Sequence, residues 1–181
     1  MAGATHVALI RGINVGGRNP VPMARLREEL SSRGAPSRTY IQSGNVILDA
    51  PHLDVSAVTA LVEEVLAQEF DVTTVVVVLT APMLRSIVEA APDGFPVDPS
   101  EFHRDEAFLR AGVDGATALG AFRLREGVDE AWAGDGAVYF RRVSAERTKS
   151  RMNSIMKTPF YAQMTFRHWA TTSALVQMLD A

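Results

Sequence analysis

The chain has 181 residues, 47% hydrophobic and 22% charged, with 18 basic and 21 acidic side chains for a formal net charge of -3. That is enough apolar chain for one ordinary domain or two small halves sharing a core, and the mild acidity excludes a global basic field that would recruit nucleic acid or an anionic membrane. The absence of cysteine excludes disulfide frameworks, thiolate nucleophiles and sulfur-ligated metals together.

The amino terminus, MAGATH, has no charged region followed by a long apolar stretch, and the longest apolar run, residues 75–79, is too short to span a bilayer. The expected setting is soluble and cytoplasmic, with no membrane partner. Residues 6–11 read as a short apolar strand. Pro22 opens a helix in which Met23, Leu26 and Leu30 fall at helical spacing until Gly34 stops it. Residues 38–42 and 45–48 are extended runs joined around Ser43 and Gly44, where glycine supplies the positive φ of a tight turn. Asp54 is the expected N-cap of a second helix with Val58, Leu61, Val62, Val65 and Leu66 on its apolar stripe. TTVVVVL, residues 73–79, then reads as a strand covered on both faces. The order strand, helix, strand, strand, helix, strand predicts an antiparallel four-stranded sheet with two helices on one face, a ferredoxin-like half over residues 1–80.

Residues 81–99 hold a short helix around Leu84, Ile87 and Val88, followed by a proline-rich connector. In residues 100–181 the pattern is looser. A strand over 107–110, a short helix over 113–119 and a hairpin pairing 121–132 with 137–142 are followed by a helix through 145–156. An extended piece over 163–166 precedes a closing helix marked by Trp169, Thr172, Val176 and Leu179. The predicted fold class is α+β: two ferredoxin-like (βαββαβ) halves, antiparallel sheets with helices packed on them, related by structural duplication.

Within VALIRGINVGGRNPVP, residues 7–22, Gly12, Gly17 and Arg18 stand nearly at the spacing of a phosphate-cradling P-loop. The chemistry does not follow the spacing. Such a loop needs a lysine on the terminal phosphates and a serine or threonine hydroxyl on magnesium, whereas this chain has Arg18 and Asn19 there. Pro20 and Pro22 also remove amide donors from the start of the next helix. Gly12, Gly16 and Gly17 instead let the chain leave a central strand and turn back. Arg11 and Asn14 ask for more, because a charge at the end of a buried strand must be paired or wet.

In the predicted topology the first and third strands are antiparallel neighbours, so the end of the first lies beside the start of the third. Arg11, Gly12, Asn14, Gly16 and Gly17 should therefore converge with Gln42, Ser43, Gly44 and Asn45 into one polar corner. Such a corner suits a carboxylate, a phosphate or a backbone segment of a partner. The same groups would serve equally as an internal brace between loop and hairpin.

LIRGINVGG with the downstream VPM, TYIQSGNV at residues 39–46, and TFRHWAT at residues 165–171 resemble the bacterial domain-of-unknown-function family 1697, over essentially the whole chain. The resemblance implies a compact two-lobed α+β protein and brings no activity with it. Arg11, Gly12, Asn14, Gly16 and Gly17 match its first motif, Gln42, Ser43, Gly44 and Asn45 its second, and Thr165, Arg167 and Trp169 its third. His168 stands where the family pattern has asparagine, and SAERTKSR, residues 144–151, replaces its glycine-bearing loop, so chemistry at the third motif would be altered here.

His168, beside a helix start, is a candidate general base, although a histidine so placed is more often a cap or a surface residue. The histidines at 6, 52, 103 and 168 have no metal-ligand spacing, and no cofactor signature or GxSxG nucleophile motif is present. Six basic residues, Arg141, Arg142, Arg147, Lys149, Arg151 and Lys157, face Glu146 alone over residues 141–157, a candidate polyanion contact whose plainer reading is a solvated face. Phe108 and Tyr139 read as core rather than as base-stacking aromatics. The leading expectation is an anionic or polar small ligand, or a partner segment, bound at residues 11–17 and 42–45, with Thr165, Arg167 and His168 completing the site. The alternative is an enzyme using an inter-lobe cleft with His168 and Arg167, and a weaker one is nucleic-acid binding through residues 141–157. The sequence does not fix the oligomeric state.

Overall fold

In a computed structural model, described over residues 3–95 and 98–180, the apolar run His6–Ile10 is strand β1, with every residue buried. It belongs to the first of two compact units, Met1–Arg85 with Ala174–Ala181; the second is Ser86–Ser173. The first unit continues through α1 (Met23–Ser32), β2 (Ser37–Tyr40), β3 (Asn45–Leu48), α2 (Val55–Phe70) and β4 (Val76–Thr80). Its sheet runs β2-β3-β1-β4, antiparallel at every pair.

Local chemistry sets the boundaries. The Asp54 carboxylate accepts from Ala57 N at 2.8 Å, capping an amide that α2 cannot satisfy internally. At the other end Asp71 turns left-handed (φ 55°), and Val72 N returns to Leu66 O at 3.0 Å. Gly34 (φ 81°) stops α1. Alternate residues of the sheet, Ala8, Ile10, Val46, Leu48, Val76 and Val78, pack with Leu26, Leu30, Val58, Val62, Val65 and Leu66 from the helices in one cluster. Each such valine, leucine or isoleucine side chain stabilises the fold by roughly 1.5–3 kcal/mol on leaving water. The intervening residues Val7, Leu9, Ile47, Val77 and Leu79 are buried too, so β1 and β4 are apolar on both faces, as the continuous valine run predicts.

The chain passes into the second unit within α3 (Ala81–Glu89) and returns to the first within α5 (Trp169–Leu179). Between them lie β5 (Phe102–Leu109), α4 (Gly115–Gly120), β6 (Asp129–Ala133), β7 (Ala137–Val143) and β8 (Met164–His168), forming a second antiparallel sheet ordered β6-β7-β5-β8. The protein is thus a mixed helix and strand chain with two four-stranded antiparallel sheets. Part of the expected connector, residues 96 and 97, lies outside the described residues.

Three expectations are corrected in this unit. Residues 145–156 do not form one α-helix but lie in 3-10 pieces, Ser144–Lys149 and Met152–Lys157, followed by a third, Pro159–Gln163. Only Met152 and Ile155 of them are buried, too few apolar anchors for a 3.6-residue stripe, and Pro159 removes an amide. The first hairpin strand is Asp129–Ala133 rather than residues 121–132, because Val128 N and Asp129 N both turn back onto Arg125 O. Strand β5 begins at Phe102, not at Ala107: its polar first half is held by pairing with β7 from Phe102↔Val143 onward. Among the described residues no helix is long and apolar enough to cross a membrane.

Candidate functional site

The loop after β1 is a small hairpin. Val15 and Arg18 form an isolated antiparallel bridge, with Arg18 N donating to Val15 O and Asn14 N to Asn19 O, each at 3.1 Å. Gly16 (φ 60°) and Gly17 (φ 73°) occupy its tip, the two-residue turn with positive φ at both centres that continues strand twist. The hairpin meets the β2–β3 turn as the topology requires, since Ile10 N donates to Gly44 O at 2.8 Å and Leu9 stands opposite Asn45.

Asn14 welds the two together. Its Nδ2 donates to Val21 O and Gln42 O, each at 2.8 Å, and its Oδ1 accepts from Val21 N at 2.8 Å. One side chain therefore ties the hairpin base to the lead into α1 and to the turn after β2. Asn45, fully buried, donates to Tyr40 O at 3.1 Å and to Ser43 Oγ at 3.3 Å. Arg11 is fixed through its backbone, with its amide on Val75 O at 3.0 Å and its carbonyl accepting from Thr74 Oγ1 at 2.7 Å. At Gly44 (φ 84°) a Cβ would lie 2.7 Å from Ile10 O, so glycine is required both for the backbone and for the close approach.

Beside this frame the surface is open. Gly12, Gly16 and Gly17 have nothing within 4 Å of where a Cβ would stand. Val15 and Ile41 are exposed at 59% and 52%, and Ile41 holds φ 47°, a costly conformation for a β-branched residue.

Thr165, Arg167 and His168 lie on β8, in the second unit. Arg167 is buried, and its Nη1 donates to Thr165 Oγ1 at 3.0 Å and to Phe166 O at 2.7 Å; burial lowers its pKa to about 10. Opposite it on β5 is Glu106, whose carboxyl is pushed by burial up to about 8 against the opposing hydrogen bond from Thr172 Oγ1 at 3.1 Å. Glu106 Oε1 is buried with no partner among the described residues, as befits a neutral carboxylic acid.

His168 closes β8, and its Nδ1 accepts from Ala170 N at 3.3 Å, a cap on the first turn of α5. Its ring lies 4.7 Å from that of His103. His103 Nε2 is 3.4 Å from Asp105 Oδ2, and Arg142 Nη2 donates to the same oxygen at 3.2 Å. Reasoning from local motifs passes over His103 and Asp105. The available signal is their two-residue spacing, which places both on one face of a strand.

Half of the basic segment is paired with acids. Arg141 Nη2 donates to both Glu130 carboxylate oxygens at 2.9 Å and the guanidinium is stacked on Phe102 and Trp132, Arg142 holds Asp105, and Lys149 pairs with Glu146. Phe108 and Tyr139 are buried, and Tyr139 OH donates to Ile87 O at 2.6 Å. Among the described residues no group of three histidine or acidic side chains is placed to hold a metal.

The fold and the welded corner define a class of protein: two antiparallel sheets, with a glycine hairpin fixed on the first beside a Ser-Gly-Asn turn. The chain belongs to the family described as protein of unknown function, DUF1697, whose model matches residues 4–139. That span holds both corner motifs and ends before Thr165. A similar solved structure is that of conserved bacterial protein SP0830 from Streptococcus pneumoniae, 26% identical, with the match covering 98% of this chain and 99% of that one at a TM-score of 0.82. No curated protein matches the chain.

Proposed function

We propose that the chain is a binding protein whose site is the corner of residues 11–17 and 42–45, taking an anionic or polar small ligand or a partner segment. One observation carries the reading. The exposed amides of Gly12, Gly16 and Gly17 meet no acceptor among the described residues, while Val15 pairs with Arg18 and Asn14 anchors the base of the same hairpin. Donors that are outward-facing and held on a fixed frame are pre-organised for an oxyanion or a carbonyl. Asn14 and Asn45 then act as the frame, and Arg11 and Arg18 supply positive charge.

The finer fold reading belongs with this one. Each unit presents its strands in the order second, third, first, fourth, which supports two ferredoxin-like halves related by duplication.

A thermal-shift panel of carboxylates and phosphates tests the binding. A ligand at about a hundred times its Kd adds about 2.7 kcal/mol of stability, roughly a 5–10 °C rise in Tm for a chain of this size. The rise is expected in the wild type and not in Arg11→Ala or Arg18→Ala. A panel with no hit, or a rise that both variants retain, contradicts the assignment.

A further inference from the structure

The second unit holds a cluster of titratable groups that the corner does not use. His103 and Asp105 on β5, Arg142 on β7 and His168 on β8 are brought to one face of the sheet by register, since His103 stands opposite Arg142 and Asp105 opposite His168. The layers differ in exposure. The Asp105 side chain is 11% exposed, beneath a His103 side chain at 34%.

The hydrogen bonds set the proton positions. His168 Nδ1 accepts from Ala170 N, so a neutral His168 carries its hydrogen on Nε2, and proton uptake at Nδ1 gives up that contact with the amide. His103 turns Nε2 to Asp105, which favours a hydrogen there and leaves Nδ1 as the acceptor. Arg142 engages the same carboxylate oxygen, so Asp105 already has a cationic partner. Arg142 Nε is buried with no acceptor among the described residues. Helix α5 begins at Trp169, directly after His168.

We propose that His103, His168 and Arg142, set over the buried Asp105, form a site for a small phosphate-class anion whose binding is tied to proton uptake by the two imidazoles. The charges facing the pair support this from every packed element. Arg142 and Arg147 both act on His103, from β7 and from the 3-10 segment after it, and His168 acts from β8. On β6, Asp129 stands opposite Arg142; its Oδ2 accepts from the amides of Arg125 and Arg151, and its Oδ1 is buried with no partner among the described residues. Glu146 is paired with Lys149. Burial first, and then these cations, hold His103 below the usual imidazole range against the pull of Asp105. An anion reverses the sign of the local field, so its arrival favours the imidazolium forms. Phosphate suits this exchange because its own second ionisation lies in the same range.

The test uses the whole protein labelled with 15N-histidine and inorganic phosphate as the probe, with chloride at matched ionic strength as the control. The imidazole nitrogens report this site separately from the hairpin amides, so its failure and that of the corner are distinguishable. Phosphate is expected to raise the titration midpoints of both His103 and His168, and chloride to leave them in place. Affinity should fall about tenfold per pH unit above neutrality for each proton taken up, and His103→Gln or His168→Gln should each weaken binding by about tenfold. Midpoints that phosphate does not move, or variants that bind phosphate as the wild type does, overturn the proposal.

Discussion

Asn14 and Gly44 shape the corner by opposite means, one by filling its hydrogen bonds and the other by leaving room. Replacing Asn14 with alanine strands the buried Val21 amide and frees Gln42 O, and should cost about 1–3 kcal/mol, read as a lower denaturation midpoint with an unchanged m-value. Gly44→Ala meets the Ile10 carbonyl at 2.7 Å in a left-handed backbone, and the backbone conformation alone should cost about 1–3 kcal/mol. Glu106 gives a pH signature. Its folded pKa of about 8 lies above the ordinary 4.5, so its contribution is fully present below pH 4.5 and is lost as pH rises toward about 8. Within that window stability should fall by about 1.4 kcal/mol per pH unit from this group alone. Glu106→Gln keeps the shape without the charge and should flatten the slope between about pH 5 and pH 8; a slope equal to the wild type would place the ionisation elsewhere.

At the scale of elements, the segments legible in the sequence are those whose local chemistry and packing agree. Helix α2 is one, with Asp54 capping and Val58, Val62, Val65 and Leu66 buried along one side; Asp54→Ala should cost about 1 kcal/mol by thermal melt. The meeting of loop and hairpin was legible as well, because strand order alone brings Ile10 to Gly44. The internal role of Asn14 was not, since nothing in RGIN tells whether an amide turns toward Val21 O or toward solvent. Residues 145–156 read as one helix but lie in 3-10 pieces, since only tertiary contact selects Met152 and Ile155 for burial. His103 and Asp105 were hidden for a related reason: HRDE is polar and carries no strand signal of its own, and only cross-strand pairing with Arg142, Arg141, Phe140 and Tyr139 makes it a strand.

At the scale of the molecule, the chain leaves the first unit at Arg85 and returns at Ala174, so that unit depends on both ends of the sequence. Arg38 Nη2 donates to Met178 O at 2.8 Å and Arg85 pairs with Asp180 at 2.7 Å. The exposed ion pair contributes little, whereas Leu175 and Leu179 are buried. A chain ending at Ser173 should therefore lose stability in the first unit, seen as faster hydrogen exchange at the β1 and β4 amides; unchanged protection there would mean that the last turns are dispensable. The central claim concerns the corner, and amide NMR of the 15N-labelled protein under titration with small carboxylates and phosphates tests it most directly. The account predicts saturable shifts centred on Gly12, Val15, Gly16 and Gly17 and on the turn at residues 42–45, lost in Arg11→Ala. Amides that stay in place across the whole panel would show that loop and turn only brace one another.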